Sequence, residues 1–158
     1  MILLIVVLVV FSLLSKGGSG SSAQLTDIAE QQTEIARVAD IGVQKATSTA
    51  TKNLAHTTKL SMISGQQQTV ALLKKQGHKV SSKQLAIKQN STTDQQLNDA
   101  AANNNFDATF TKLLTDELNS YRQSLSTTYK ASNSSSERAL LLDDFNGAAL
   151  LVGSTQSS

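Results

Sequence analysis

Residues 106–130 read FDATFTKLLTDELNSYRQSLSTTYK, and their spacing decides the fold. Placed about 100° apart on a helix, Phe106, Phe110, Leu114, Leu118, Tyr121 and Leu125 share one side, while charged and hydroxyl side chains cover the rest. Asn103, Asn104 and Asn105 stand just before it, as capping residues do. A stripe of this kind persists in water only when another apolar face covers it. The flanking sequence must therefore supply partners.

Upstream, the spacing predicts a helix from about Asp27 to Ala46, with Asp27 and Glu30 placed as a capping box. Its inner face carries Ile28, Ile35, Ala39, Gly42 and Ala46, flanked by Val38 and Val43. Glu30, Glu34, Arg37 and Gln44 lie on the outer face, and Ile41 points outward. After Thr47-Ser48-Thr49, a second helix is expected from about Ala50 to Gln76. Leu54, Ala55, Thr58, Met62, Gly65, Thr69, Leu72 and Leu73 form its inner arc, and Gly77 provides a left-handed stop. The short break makes these two helices antiparallel neighbours.

His78 to Thr92 shows no period, and a connection of that length in a bundle serves to cross from one end to the other. A short helix follows from Thr93 to about Ala102. Beyond residue 130, Ser134 and Glu137 form a second capping box and open a last helix to about Val152. Its inner arc is Leu141, Leu142, Phe145, Ala149 and Val152. Leu140, Leu150 and Leu151 fall outside that arc, as a wider buried face or a self-association patch. The expected fold is all-α: a four-helix bundle with one long crossover and a short extra helix.

The chain opens with MILLIVVLVVFSLL at residues 1–14, followed by SKGGSGSSAQ. Crossing a bilayer takes about 20 apolar residues, a secretory core about 7–15. Ile2–Leu14 fits the second. Ser21 and Ala23 then occupy the −3 and −1 positions of a cleavage site before Gln24. Residues 1–23 read as a signal peptide or N-terminal anchor, and 24–158 as the helical bundle domain. Lys16 follows the run and no basic residue precedes it, the reverse of a normal signal peptide, which a misplaced start codon or an uncleaved anchor in residues 2–14 would explain. The absence of cysteine excludes a lipid-anchored lipoprotein, disulfides, thiolate zinc sites and cysteine nucleophiles. The bundle is expected in the periplasm or outside the cell.

Charged residues are 16% of the chain and net charge is +2, too little basic surface for nucleic acid. Carboxylate-bridged metal bundles need Glu-x-x-His pairs, but Glu34 leads to Arg37 and Glu117 to Ser120. His56 and His78 both fall on solvated positions. No nucleophile elbow, Walker loop or dinucleotide-binding turn occurs, so neither catalysis nor a metal or other cofactor is expected. Glu117 stands apart, mid-helix inside the apolar arc, where a carboxylate needs a partner, water or a proton. Lys74, Lys75, Lys79, Lys83 and Lys88 gather with His78 around the crossover. They suit contact with an anionic surface, or simply solvent and the helix dipole.

Four stretches carry a family likeness: IARVADIGVQKA at 35–46, LAHTTKLSM at 54–62, ALLKKQG at 71–77 and FDATFTKLLTDEL at 106–118. In them the chain resembles the exported bacterial "domain of unknown function 4142" over Leu25 to Gly153. That resemblance implies a ferritin-like bundle and export. Family members often carry Asp-His pairs in the second and a later long helix; the matching positions here are Ser61-Met62 and Glu117-Leu118. Both histidines are thus replaced, and only the acid at Glu117 remains. The expected function is a non-enzymatic binding or structural role in the cell envelope, with an unidentified envelope protein or a second copy as partner. The alternatives are a ferritin-like metal-binding or redox protein with a degenerate site, and a bundle associated with the membrane surface through its lysines or its N-terminal segment.

Overall fold

The computed structural model describes residues 20–155, and the apolar run at 1–14 lies outside them. Six helices follow: α1 (Gly20–Lys45), α2 (Thr49–Lys75), α3 (Ser82–Leu85), α4 (Ser91–Ala102), α5 (Phe106–Ala131) and α6 (Ser135–Thr155). There is no strand among the described residues. The long helices α1, α2, α5 and α6 form a helical bundle. Each buries the stripe that could not survive alone.

The α1–α2 turn shows how local chemistry fixes the hairpin. The Ser48 hydroxyl caps α2 by accepting the Thr51 N–H at 3.1 Å. Asp107, in the first turn of α5, accepts the N–H groups of Thr47 and Ser48 at 2.9 and 2.8 Å and the Thr47 hydroxyl at 2.8 Å. Burial alone would raise the Asp107 carboxyl, but these donors outweigh it and hold the group below its ordinary value. A carboxylate from a distant helix thus completes the cap. At the other end of α2, Gly77 adopts φ 86°, and the His78 N–H returns to the Leu73 carbonyl at 2.9 Å. That geometry is a Schellman stop.

The crossover then runs the length of α1. Its partners advance in step: Lys88 with Asp27, Asn90 with Glu34, Asp94 with Arg37, and Asn98 with Lys45. Within it lies α3, a single turn where no period was expected, and α4 begins at Ser91 rather than Thr93. Helix α5 returns antiparallel to α1, and α6 packs antiparallel to α5 and closes against α2. Leu25, Ile28, Leu73, Leu97, Phe110, Leu114, Leu118, Tyr121 and Leu125 are fully buried, at about 1.5–3 kcal/mol for each large side chain. At Gly42 a Cβ would meet the Phe110 ring at 2.3 Å and the Ala55 Cβ at 2.9 Å. Glycine there lets three helices converge.

Several boundaries and faces differ from expectation. Helix α1 starts at Gly20, so Asp27 is no cap; it accepts from Gln31 within the helix and pairs with Lys88. Ser134 does take the Glu137 N–H, at 3.4 Å. The Glu137 carboxylate, however, receives the Ser21 hydroxyl at 2.7–2.8 Å instead of closing a capping box. The apolar face of α6 is rotated: Leu142 is 48% exposed, while Ala148 and Leu151 are buried. Leu151 and half-buried Leu140 therefore widen the buried face, and Leu150 stays exposed. Ile41 packs partly against the core. Among the described residues no helix is long and apolar enough to cross a membrane.

Candidate functional site

A cleft of about 480 Å³ opens where the crossover lies over the seam between α1 and α5. Helix α1 supplies Asp27, Gln31 and Glu34, α5 supplies Glu117, Ser120 and Ser124, and the crossover supplies Lys88 and Asn90. The i, i+3 and i+4 spacings place each set along one edge of its helix. Glu34, expected on the outer face of α1, is instead buried beneath the crossover. Arg37 grips it as a fork, Nε to Oε2 and Nη2 to Oε1 both at 2.8 Å, and the Asn90 N–H reaches Oε1 at 3.2 Å. Arg37 also pairs with Asp94. The hydrogen bond to Glu34 raises the arginine's pKa above its ordinary value, against the opposing effect of burial.

Glu117 has no such partner. Its Oε2 is buried without a hydrogen bond. Burial first, and then the nearby Glu34 charge, push its carboxyl up to about 7, with Arg37 opposing. It is thus a carboxyl that exchanges its proton near neutrality. At the other end of the cleft Lys88 pairs with Asp27 at 2.7 Å, and Gln31 donates to Asp27 and to the Ser124 hydroxyl at 2.6 and 3.0 Å. Burial raises the Glu30 carboxyl as well; Lys88 opposes this and Asp27 adds to it. The floor therefore offers one unpaired acid among satisfied polar groups. It suits recognition of a cation better than attack on a bond.

A second polar group fills the bundle interior, drawn from α1, α5 and α6, with a glycine of α2 making room for it. Gln32 of α1, wholly buried, donates from Nε2 to the Tyr121 hydroxyl at 2.7 Å and to Asp144 Oδ2 at 2.9 Å. Its Oε1 has no partner. Gly65 of α2 leaves the space: a Cβ there would stand 2.7 Å from Gln32 Nε2 and 2.8 Å from Asp144 Oδ1. Burial raises the Asp144 carboxyl to about 6, against hydrogen bonds from Tyr121 and Gln32. The Tyr121 hydroxyl is raised above its ordinary value, by burial first and then by the Asp144 charge. Sequence reading placed Tyr121 and Gly65 in the core and missed the other two. Gln32 sits between Ile28 and Ile35 on the apolar stripe, a signal that was there to read. Asp144 was hidden by the misjudged face of α6.

The five candidate lysines separate. Lys88 belongs to the cleft, whereas Lys74, Lys75, Lys79 and Lys83 are exposed and in no ion pair among the described residues. His56 and His78 are exposed. Met62 and Leu118, which stand where the family resemblance implies histidines, are buried core residues. Among the described residues no three His, Asp or Glu side chains are grouped to hold a metal ion. No family model matches the chain, and no curated protein or solved structure matches it either.

Proposed function

We propose that the chain is an exported, ferritin-like helical bundle of the cell envelope that binds a small organic cation in the Glu117 cleft and catalyses no reaction. The observation that carries the reading is Glu117 itself, a wall residue of that cleft whose Oε2 is buried without a hydrogen bond. An ammonium group arriving there would replace the proton and cancel the desolvation that raises this carboxyl. Hydroxyls of Ser120 and Ser124 and the amide oxygen of Gln31, whose two N–H donors are already engaged, would orient the remainder. The other acids of the cleft are occupied, Glu34 by Arg37 and Asp27 by Lys88. Export rests on the apolar run and the lack of cysteine. The resemblance to the exported family supports the same placement.

Titration calorimetry with a panel of amines, diamines and quaternary ammonium compounds, beside neutral isosteres, tests this. One cationic class should bind, with affinity falling about tenfold for each pH unit below 7 and about tenfold or more in Glu117→Gln. Equal binding by wild type and variant, or none by any cation, would refute it. Saturable binding of a transition metal at micromolar levels with a raised melting temperature would favour a metal protein instead.

A further inference from the structure

We infer that the pole of the bundle where α1 begins docks on an anionic phospholipid bilayer, with residues 1–23 retained. The start of α1, the end of α2, α3, the end of α5 and the start of α6 all meet at this pole. Lys74, Lys75, Lys79, Lys83 and Lys130 are exposed there with no ion pair among the described residues. Arg138 joins them, exposed, with its guanidinium 4.2 Å from the Tyr129 ring centroid. Of the acids on this half of the bundle, Glu137 is 2% exposed and bonded to Ser21 and Asp27 is held by Lys88, which leaves half-buried Glu30 and exposed Asp143, further along α1 and α6, against six cations. At the opposite pole the charges are mixed, with Asp99, Asp107 and Asp116 among Lys45, Lys52 and Lys112. A chain of net charge only +2 thus concentrates its free cations at one end.

Two further observations select a membrane as the occupant. The apolar run at residues 2–14 joins the bundle at this same pole, and the five residues 15–19 reach at most about 18 Å. A run held in a bilayer keeps these lysines close enough to act, given a screening length of about 8 Å at physiological salt. The second is the Ser21 hydroxyl on buried Glu137, at 2.8 and 2.7 Å. Cleavage after Ala23 would remove that donor from a carboxylate that has lost its water. Each lysine near an anionic surface contributes about a fivefold gain in partitioning.

The proposal goes beyond cation binding in the Glu117 cleft, and either can fail alone. The test uses the full chain reconstituted in vesicles of phosphatidylcholine, with and without phosphatidylglycerol. Lysines are acylated by a water-soluble reagent and read by mass spectrometry. Lys74, Lys75, Lys79, Lys83 and Lys130 should be protected about fivefold or more by phosphatidylglycerol, reversibly with salt, while Lys52 and Lys112 react equally in both. In K74E/K75E/K79E, folded by circular dichroism, protection of Lys83 and Lys130 should fall severalfold. Equal labelling at both poles overturns the proposal, as does a native N-terminus at Gln24 in protein extracted from envelopes. Protection that instead appears in detergent and grows with protein concentration assigns the face to a second copy and also overturns it.

Discussion

Glu117→Gln separates a desolvated carboxyl from a solvated one, and the structure sets the size of the effect. The folded carboxyl titrates at about 7 against an ordinary value of 4.5. At about 1.4 kcal/mol per pH unit, that gap corresponds to roughly 3 kcal/mol. Below the ordinary value both folded and unfolded chains hold the proton, and nothing is lost. Between it and about 7 the unfolded chain releases the proton while the folded one keeps it, so stability falls as pH rises. Above about 7 the loss is complete. The glutamine variant does not titrate, so its stability relative to wild type should be at or slightly below zero at about pH 4, where nothing offsets the cost of its amide, and positive at about pH 8. The glutamine amide brings donors that also need partners, which trims the gain to about 1–3 kcal/mol. For a domain of this length that is a rise of about 3–12 °C in Tm. Calorimetric melts of both proteins across this pH range read the difference directly, because shifts at Asp144 and Glu30 are common to both. Parallel Tm-against-pH curves, or a variant weaker at alkaline pH, would refute the assignment of Glu117 as buried and unpaired.

Gly65→Ala should destabilise by about 1–3 kcal/mol in urea unfolding. The new Cβ collides with Gln32 Nε2 and Asp144 Oδ1, and this outweighs about 1 kcal/mol of improved helix propensity. Tyr121→Phe removes the hydroxyl that Gln32 and Asp144 share and should lose about 1–3 kcal/mol. With that donor gone, a carbon-13 titration should find the Asp144 carboxyl above its present value of about 6. Asp107→Ala frees the N–H groups of Thr47 and Ser48 and should lose about 1–2 kcal/mol near neutrality. Because the folded Asp107 carboxyl lies below 3.8, its contribution is present above that value and lost as pH falls through the lowered one. Melting curves of wild type and Asp107→Ala should therefore converge in strong acid.

The helices that could be read from sequence are those whose stripes are clean. All six apolar positions quoted for α5 are buried, and α2 ends beside Gly77 as its left-handed stop requires. Helix α6 resisted because leucine and alanine surround it, so periodicity could not choose between Leu142 and Leu151. The first turns of α1 were illegible for another reason. Gly20-Ser21-Ser22 has the composition of a linker, and what makes it helical is tertiary: Leu25 enters the core and Ser21 reaches Glu137, 116 residues away. Of the cleft, Glu117 was visible because an acid interrupted a stripe. Its neighbours Lys88 and Asn90 come from an aperiodic segment whose course along α1 depends on ion pairs that no local pattern encodes.

The described fold begins and finishes at opposite poles, Gly20 at one and Thr155 at the other, with α1 and α6 running the same way across the diagonal. A 26-residue α1 makes the body about 39 Å long. Tension applied between those two points would slide helices past one another along that whole length and load every layer of side chains at once. Hairpins pulled from a single end instead unzip turn by turn. A tethered copy of this bundle is therefore built as a stiff strut, one that resists shear along its axis and yields to sideways peeling.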